Sequence, residues 1–88
     1  MKLKGKVAVV TGGARDIGRA VSVKLAAEGA SVVFNYYQSE EQASDTLKAI
    51  HDAGGKAVAV GGDMTNQEDV DRLVAEAIAA FGDRIDIL

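Results

Sequence analysis

Cysteine, proline and tryptophan are absent from this 88-residue sequence, and histidine occurs once. Without cysteine the chain cannot form disulfides, thiolate zinc sites or a cysteine nucleophile. The single histidine, His51, excludes a histidine metal cluster, and we interpret it as a favourable residue near a helix C-terminus. We therefore predict no metal site.

The chain also lacks a long apolar run and an excess of positive charge. No stretch approaches the roughly 20 apolar residues that cross a bilayer, and the apolar run after the basic N-terminus is too short for a signal peptide. The net charge is −3, whereas a nucleic-acid binder needs a basic face against phosphates. We expect one small domain of a cytoplasmic protein, without membrane or nucleic-acid partners.

Short apolar runs alternate with helical patterns along the chain. Residues 6–11, 31–36 and 56–61 are continuous apolar runs, as expected of strands buried on both faces. Residues 85–88 look like the opening of a fourth strand. The alternation predicts an α/β fold, β-α-β-α-β-α plus the start of a fourth strand, with a parallel sheet and helices on both faces.

The helical patterns carry apolar faces and start signals. The first helix should run from about Asp16 to Glu28. The second and third should start at Ser39 and Thr65, which are spaced as capping boxes with Gln42 and Glu68. The residues predicted to face the core are Ile17, Ala20, Val21, Leu25 and Ala26 in the first helix, Ala43, Leu47 and Ile50 in the second, and Val70, Leu73, Val74, Ala77, Ile78 and Phe81 in the third. We interpret Glu40, Glu41, Asp45, Asp69, Asp71 and Glu76 as solvated acids.

The stretch TGGARDIGRA lies between the first strand and the first helix. At such a turn, backbone N–H groups and the positive helix end point at one spot, which favours a phosphate. Gly12 can supply the tight turn, and Gly18 can let the helix pack close to the sheet. The spacing differs from G-x-G-x-x-G, so the position of the loop carries more weight than its glycines.

Four stretches together resemble the N-terminal part of the short-chain dehydrogenase/reductase family, whose fingerprint is TGxxxGxG after the first strand. They are GKVAVVTGGARDIGRA, VVFNYYQSEEQA, GGDMTNQEDV and FGDRIDIL. The resemblance is closest to 3-oxoacyl-acyl-carrier-protein reductases and glucose dehydrogenase-like members. It implies that residues 1–88 are a partial NAD(P)-binding Rossmann domain, the N-terminal half of a doubly wound parallel sheet, that stops before the catalytic half.

The resemblance also implies roles for single residues. Gly12 and Gly18 would form the pyrophosphate turn, and the backbone N–H of Ile17 would face the cofactor. Arg15 would reach the adenosine 2′-phosphate, Asp63 would accept from the adenine amino group, and Met64 would lie beside the adenine. From the residues alone, the Tyr36–Tyr37 pair has two interpretations: it flanks the adenine, or it caps the edge of the sheet.

Asp16 departs from the glycine usual in the family. As a helix-start acid it should stabilise the first helix by roughly 0.5–2 kcal/mol. Near a pyrophosphate it should repel the ligand, by roughly 0.7–3 kcal/mol at about 6 Å before salt screening. We expect the carboxylate to face solvent, so that binding survives.

The end of the second strand bears on the choice of cofactor. An acid there usually grips the ribose 2′-OH and selects NAD, but this chain has the neutral Asn35. Arg15 can attract a 2′-phosphate, and Ser39 could add a hydroxyl. These residues favour NADP(H) over NAD(H).

The catalytic residues of the family are missing from these 88 residues. Its chemistry needs a serine and a tyrosine followed four residues later by lysine, whereas Tyr36 and Tyr37 are followed by Glu40 and Glu41. We expect the chain to be an inactive part of an NADP-dependent reductase of a carbonyl, with a 3-oxoacyl thioester as a candidate substrate. A non-catalytic nucleotide-binding or assembly module is the alternative. A phosphoacceptor signalling domain would need acids where the chain has TGGAR.

The predicted sheet also bears on assembly. The first strand should be central in a full sheet, and residues 85–88 would barely cover its far side. An exposed apolar strand edge invites pairing with another chain. We expect a homo-oligomer, formed by edge pairing or by exchange of the C-terminal segment.

Overall fold

Three strands and three helices alternate along the part of the chain that the computed structural model describes, residues 3–12, 16–38 and 40–82. They are β1 (Val7–Val10), α1 (Asp16–Ala27), β2 (Ser31–Tyr36), α2 (Glu40–Asp52), β3 (Lys56–Gly61) and α3 (Gln67–Phe81). The predicted α/β order is confirmed. The fourth strand expected at residues 85–88 lies outside the described residues.

The strands form one parallel sheet in the order β1-β2-β3. Val7 of β1 pairs with Ser31 of β2, and Ser31 pairs in turn with Lys56 of β3. Because the strands are parallel and in step, their carboxyl ends lie at one edge of the sheet. The turns after the strands are therefore brought close together.

The two faces of the sheet bury separate clusters. On one face α1 and α2 cover a cluster that includes Ala8, Val32, Phe34 and Ile50. On the other face α3 covers Val9, Val33, Val60, Leu73 and Ala77. Successive strand residues point to opposite faces, and both faces are covered. This accounts for the continuous apolar runs in the sequence.

The predicted inner face of α1 is partly wrong. Ile17 is 80% exposed and Val21 is 41% exposed, and Ala20 is exposed as well. Ala26 is buried as predicted, at 7% exposure, and Leu25 is partly buried against the same cluster. Ser22, at 0% exposure, is buried although it was not predicted. The prediction thus holds for the C-terminal half of α1 and fails near its start.

Helices α2 and α3 follow the predicted pattern more closely. Ala43 and Ile50 of α2 and Leu73 and Ala77 of α3 are buried as expected. Val74 and Ile78 are about 40% exposed, so their predicted place in the core is wrong. The capping box expected from Ser39 lies outside the described residues.

The predicted start of α3 is also wrong. Asn66, not Thr65, is the N-cap, and its side-chain oxygen accepts from the backbone N–H of Glu68 at 2.9 Å and of Asp69 at 3.4 Å. Thr65 donates its hydroxyl to Asp63 Oδ1 at 2.7 Å instead. The carboxylate of Asp63 therefore draws Thr65 away from the helix and leaves the cap to the next residue.

Candidate nucleotide-binding site

Three turns meet at the carboxyl edge of the sheet, one after each strand. The turn after β1 contains Gly12, β2 ends with Asn35 and Tyr36, and the turn after β3 contains Gly62 and Asp63. Open parallel sheets bind their ligands outside this edge.

Asn35 joins the turns after β1 and β3 through both ends of its side-chain amide. Its Oδ1 accepts from the backbone N–H of Gly12 at 2.6 Å, and its Nδ2 donates to the carbonyl of Gly62 at 2.9 Å. The residue is only 3% exposed. An amide can donate and accept at once, so a neutral residue is required here by the two turns themselves. The identity of Asn35 thus has a local explanation that does not involve a cofactor phosphate.

The backbone that leads to Asp63 is held at every polar group of two successive peptide units. In the first, the carbonyl of Gly61 accepts from the Arg72 guanidinium, and the N–H of Gly62 donates to the carbonyl of Tyr36 at 2.9 Å. In the second, the carbonyl of Gly62 accepts from Asn35, and the N–H of Asp63 donates to Asp69 Oδ2 at 2.9 Å. The turn is therefore fixed before any ligand arrives.

Space around Gly62 is tight. A Cβ built on it would approach the Arg72 guanidinium to 2.9 Å and Asp69 Cβ to 3.1 Å, so both side chains would have to shift. The first turn of α3 thus closes directly over this backbone.

The carboxylate of Asp63 is engaged on one oxygen. Its Oδ1 accepts from the hydroxyl of Thr65 at 2.7 Å and from the backbone N–H of Thr65 at 2.9 Å. These bonds, the hydroxyl first, lower the pKa of Asp63 below its ordinary 3.8. Asp63 is half-exposed and ionised near neutral pH, and its Oδ2 has no partner among the described residues. It can accept a hydrogen bond from a ligand amino group.

Gly12 adopts a φ of 66°, in the left-handed region, and a Cβ on it would meet nothing within 4 Å. Backbone conformation, not space, therefore favours glycine here. The N–H of Gly12 is taken by Asn35. Its role is to shape the turn, and an anion would have to be bound by other backbone groups.

Helix α1 begins at Asp16, shortly after this turn. The first N–H groups of a helix have no intrahelical acceptor and attract anions. Gly18 is half-buried in the first turn of α1, and the side chain of Ile17 projects into solvent at 80% exposure. A helix start that follows the Gly12 turn in the chain is the kind of position at which phosphates bind.

Tyr36 and Met64 pack against different clusters, on the two faces of the sheet. Tyr36 pairs with Gly61 across the sheet and packs against the cluster under α1 and α2, and a Cβ on Gly61 would come within 3.1 Å of the Tyr36 ring and hydroxyl. Met64 is half-buried against the cluster under α3. The two residues predicted to lie beside the adenine therefore do not share one surface.

Some of the predicted site residues are not described by the structure. Arg15 and Ser39 lie outside the described residues, as does the side chain of Asp16. The roles assigned to Arg15 and Ser39, and the direction of the Asp16 carboxylate, stay predictions.

Two residues of the site escaped the sequence interpretation, Asp69 and Arg72. Asp69 was interpreted as a solvated acid, which is wrong, because it accepts from the Asp63 N–H and lies 3.5 Å from the Arg72 guanidinium. The sequence feature that could have identified them is their position in the first turns of α3, just after the turn that follows β3. Side chains at that position can reach back to the backbone before the helix.

Within residues 3–12, 16–38 and 40–82, no helix is long and apolar enough to cross a bilayer. The same described residues contain no group of three or more side chains suited to hold a metal ion.

Comparison with known proteins points to one family. The family model for short chain dehydrogenases matches residues 6–88. An uncharacterized oxidoreductase of Methylorubrum extorquens is 47% identical over 87 residues, which are 99% of this chain and 35% of the relative.

Solved structures agree with that match. A short-chain dehydrogenase/reductase from Serratia marcescens has a TM-score of 0.94 at 38% identity, over 98% of this chain and 35% of its own. A short chain dehydrogenase from Burkholderia cenocepacia in complex with NADP has a TM-score of 0.88 at 38% identity, over 92% of this chain and 33% of its own. The chain thus spans about a third of the length of the relatives it matches.

Proposed function

Because this chain belongs to the short-chain dehydrogenase family, we propose that it binds the adenosine half of a nicotinamide dinucleotide within an oxidoreductase. The whole protein would reduce a carbonyl group to an alcohol. The observation that carries the proposal is the joining of the turns after β1 and β3 by Asn35, at the edge where parallel sheets bind ligands.

The described residues fit such a ligand. The start of α1 would bind the pyrophosphate through its first backbone N–H groups, and Asp63 would accept a hydrogen bond from the adenine amino group. When bound, the nicotinamide supplies the hydride. This chain's own residues only bind and orient, since its tyrosines 36 and 37 are not followed by a lysine at the spacing that the family uses.

We favour NADP(H) as the cofactor. No carboxylate stands at Asn35, Tyr36 or Tyr37 to grip the ribose 2′-OH. Arg15 offers a positive charge for a 2′-phosphate, and the similar Burkholderia cenocepacia protein is in complex with NADP. A 3-oxoacyl thioester is the substrate class that we favour, and its support is the resemblance of the four sequence stretches to reductases of that type.

Calorimetric titration with 2′,5′-ADP and 5′-AMP tests the cofactor proposal. We expect the ligand with the 2′-phosphate to bind more tightly. Arg15→Ala should remove about tenfold or more of that preference, as expected for a hydrogen bond to a charged group. Arg19→Ala is the matched control, because Arg19 is exposed one turn further along α1. Equal affinities in the unaltered chain would contradict NADP(H), and no binding of either ligand would contradict the nucleotide site.

A non-catalytic nucleotide-binding or assembly module remains the second candidate, because the 88 residues lack the tyrosine–lysine pair. Incubation of the purified chain with NADPH and a 3-oxoacyl thioester separates turnover from binding. We expect binding without oxidation of NADPH. A steady loss of absorbance at 340 nm would contradict the expectation that this chain alone is inactive.

A further inference from the structure

The side chain of Asn35 forms hydrogen bonds to both turns of the proposed site. It accepts from Gly12 and donates to Gly62, at 2.6 and 2.9 Å. We propose that Asn35 is a positioning residue that fixes the phosphate turn relative to the adenine turn, so that the two turns move as one body. This inference rests on the proposed nucleotide-binding function.

The strength of this link follows from burial. The side chain of Asn35 is buried, at 3% exposure, whereas Gly12 is exposed and Gly62 is half-buried. Loss of either backbone partner then leaves a polar atom of the buried amide unsatisfied, which costs more than the bond itself contributes. One break therefore loosens both turns.

The effect reaches Asp63 through a single peptide unit. The carbonyl of Gly62 and the N–H of Asp63 belong to the same rigid plane, and Asn35 holds the carbonyl while Asp69 holds the N–H at 2.9 Å. If the Asn35 bond is lost, this plane can rotate about the Asp69 bond. The Asp63 carboxylate then loses its fixed direction toward the adenine amino group.

An acid at position 35 would not act as a ribose ligand. In Asn35→Asp one carboxylate oxygen still accepts from Gly12, while the other faces the carbonyl oxygen of Gly62 and repels it. The buried side chain does not lie on an exposed surface where a ribose could reach it. We expect this variant to weaken NADPH and NADH alike, with no gain for NADH.

The first test needs no ligand. Amide hydrogen exchange of the unaltered chain, followed by NMR, should give the same opening free energy for the amides of Gly12 and Asp63. In Asn35→Leu, which removes both bonds at similar volume, both amides should exchange roughly tenfold faster or more, relative to the core. Thr46→Val is the control, because it removes the polar group of a different buried side chain, whose hydroxyl donates to the Gln42 carbonyl within α2. Separate opening of the two amides in the unaltered chain overturns the inference even if both Asn35 variants fail to fold.

The second test compares adenosine 5′-diphosphate with inosine 5′-diphosphate. Inosine lacks the 6-amino group from which Asp63 would accept a hydrogen bond. The unaltered chain should prefer the adenosine ligand. Asn35→Leu and Asn35→Asp should lower the affinity for both ligands and bring the adenosine-to-inosine ratio toward one. Loss of folded protein alone lowers both affinities by the same factor and leaves the ratio unchanged, as expected for Thr46→Val.

The outcomes separate the two proposals. If the unaltered chain binds neither diphosphate, the proposed function is wrong, and the exchange measurement still decides the link between the turns. If it binds and discriminates, but folded Asn35 variants keep the same ratio, the positioning role of Asn35 is wrong while the proposed function stands.

Discussion

At the residue scale, Asp63 shows how a short turn sets the charge state of a candidate ligand. The hydroxyl and the N–H of Thr65 both donate to its Oδ1 and lower its pKa below 3.8. Because the pKa of Asp63 is lower in the folded chain than in the unfolded one, its ionised form stabilises the fold at pH values above the ordinary pKa. That contribution is lost as the pH falls through the folded pKa, below 3.8, so the turn stays intact throughout the neutral range.

Thr65→Val should raise the pKa of Asp63 toward its ordinary 3.8, because the larger of the two lowering causes is removed. A carbon-detected NMR titration of the Asp63 carboxyl group measures this directly. Thr46→Val serves as control, since its hydroxyl bonds the Gln42 carbonyl within α2. An unchanged Asp63 titration in Thr65→Val would contradict the assignment.

The position of Asn35 could be predicted from the sequence, but its hydrogen-bond partners could not. Its place at the end of β2 is evident from the apolar run before it, and that run predicts a functional position. Its two partners, Gly12 and Gly62, are 23 and 27 residues away. A contact of this kind depends on the sheet register, which the sequence pattern does not supply.

At the scale of the elements, the start of α3 is set by which side chain can accept hydrogen bonds from the first N–H groups of the helix. Asn66 caps the helix because the hydroxyl of Thr65 is bound to Asp63. The spacing Thr65-x-x-Glu68 indicated a capping box, but spacing cannot show that a nearby carboxylate competes for the same hydroxyl. Such competition is a reason why helix starts are predicted less well than helix existence.

Asn66→Ala should lower the free energy of unfolding by about 0.5–2 kcal/mol. Gln67→Ala is the neighbouring control and loses only an exposed bond to Asp71. Urea denaturation followed by circular dichroism compares the two. A larger loss in Gln67→Ala would place the helix start elsewhere.

Helix α1 packs most closely through small residues. Ser22 and Ala26 are buried, and Ala26 Cβ would lie 3.2 Å from a Cβ on Gly55. The strands could be predicted because they are apolar throughout and buried on both faces. In α1 and α3 a small residue such as Ala26 or Ala77 is buried while a larger one such as Val21 or Ile78 is exposed, so the apolar pattern predicted only part of each buried face.

Ala26→Leu should destabilise the chain by about 1–3 kcal/mol through overpacking. Ala20→Leu adds the same side chain at an exposed position of the same helix and should change stability by less than about 0.5 kcal/mol. Thermal unfolding of both variants tests the packing. Equal losses in the two variants would contradict the buried face described for α1.

At the scale of the whole molecule, β1 lies at one edge of the sheet and has no second strand partner among the described residues. Apolar side chains are exposed on helices covering both faces, Ile17 and Val21 on α1 and Val74 and Ile78 on α3. Open strand edges and apolar patches favour association with another chain. The expected homo-oligomer therefore remains our prediction for the chain in solution.

Sedimentation velocity over a range of concentrations should show self-association of the chain. Val21→Glu places a charge among the exposed apolar residues and should shift the distribution toward monomer. Ser44→Glu adds the same charge at an exposed position of α2, which carries none of these apolar residues, and serves as a control. A monomeric distribution of the unaltered chain at the highest concentration would contradict the prediction.

The two hydrogen bonds of Asn35 also determine which segments would have to be transferred together to rebuild this site in another protein. A glycine turn transplanted alone into another parallel sheet would arrive without the amide that holds it, and a transplanted β3 turn would lose the same anchor. A designer who wishes to move this binding edge to a new scaffold would have to carry over all three strand ends together, with the register of β1, β2 and β3 preserved. The smallest segment that could be transferred is therefore the whole carboxyl edge of the sheet and not the glycine loop alone.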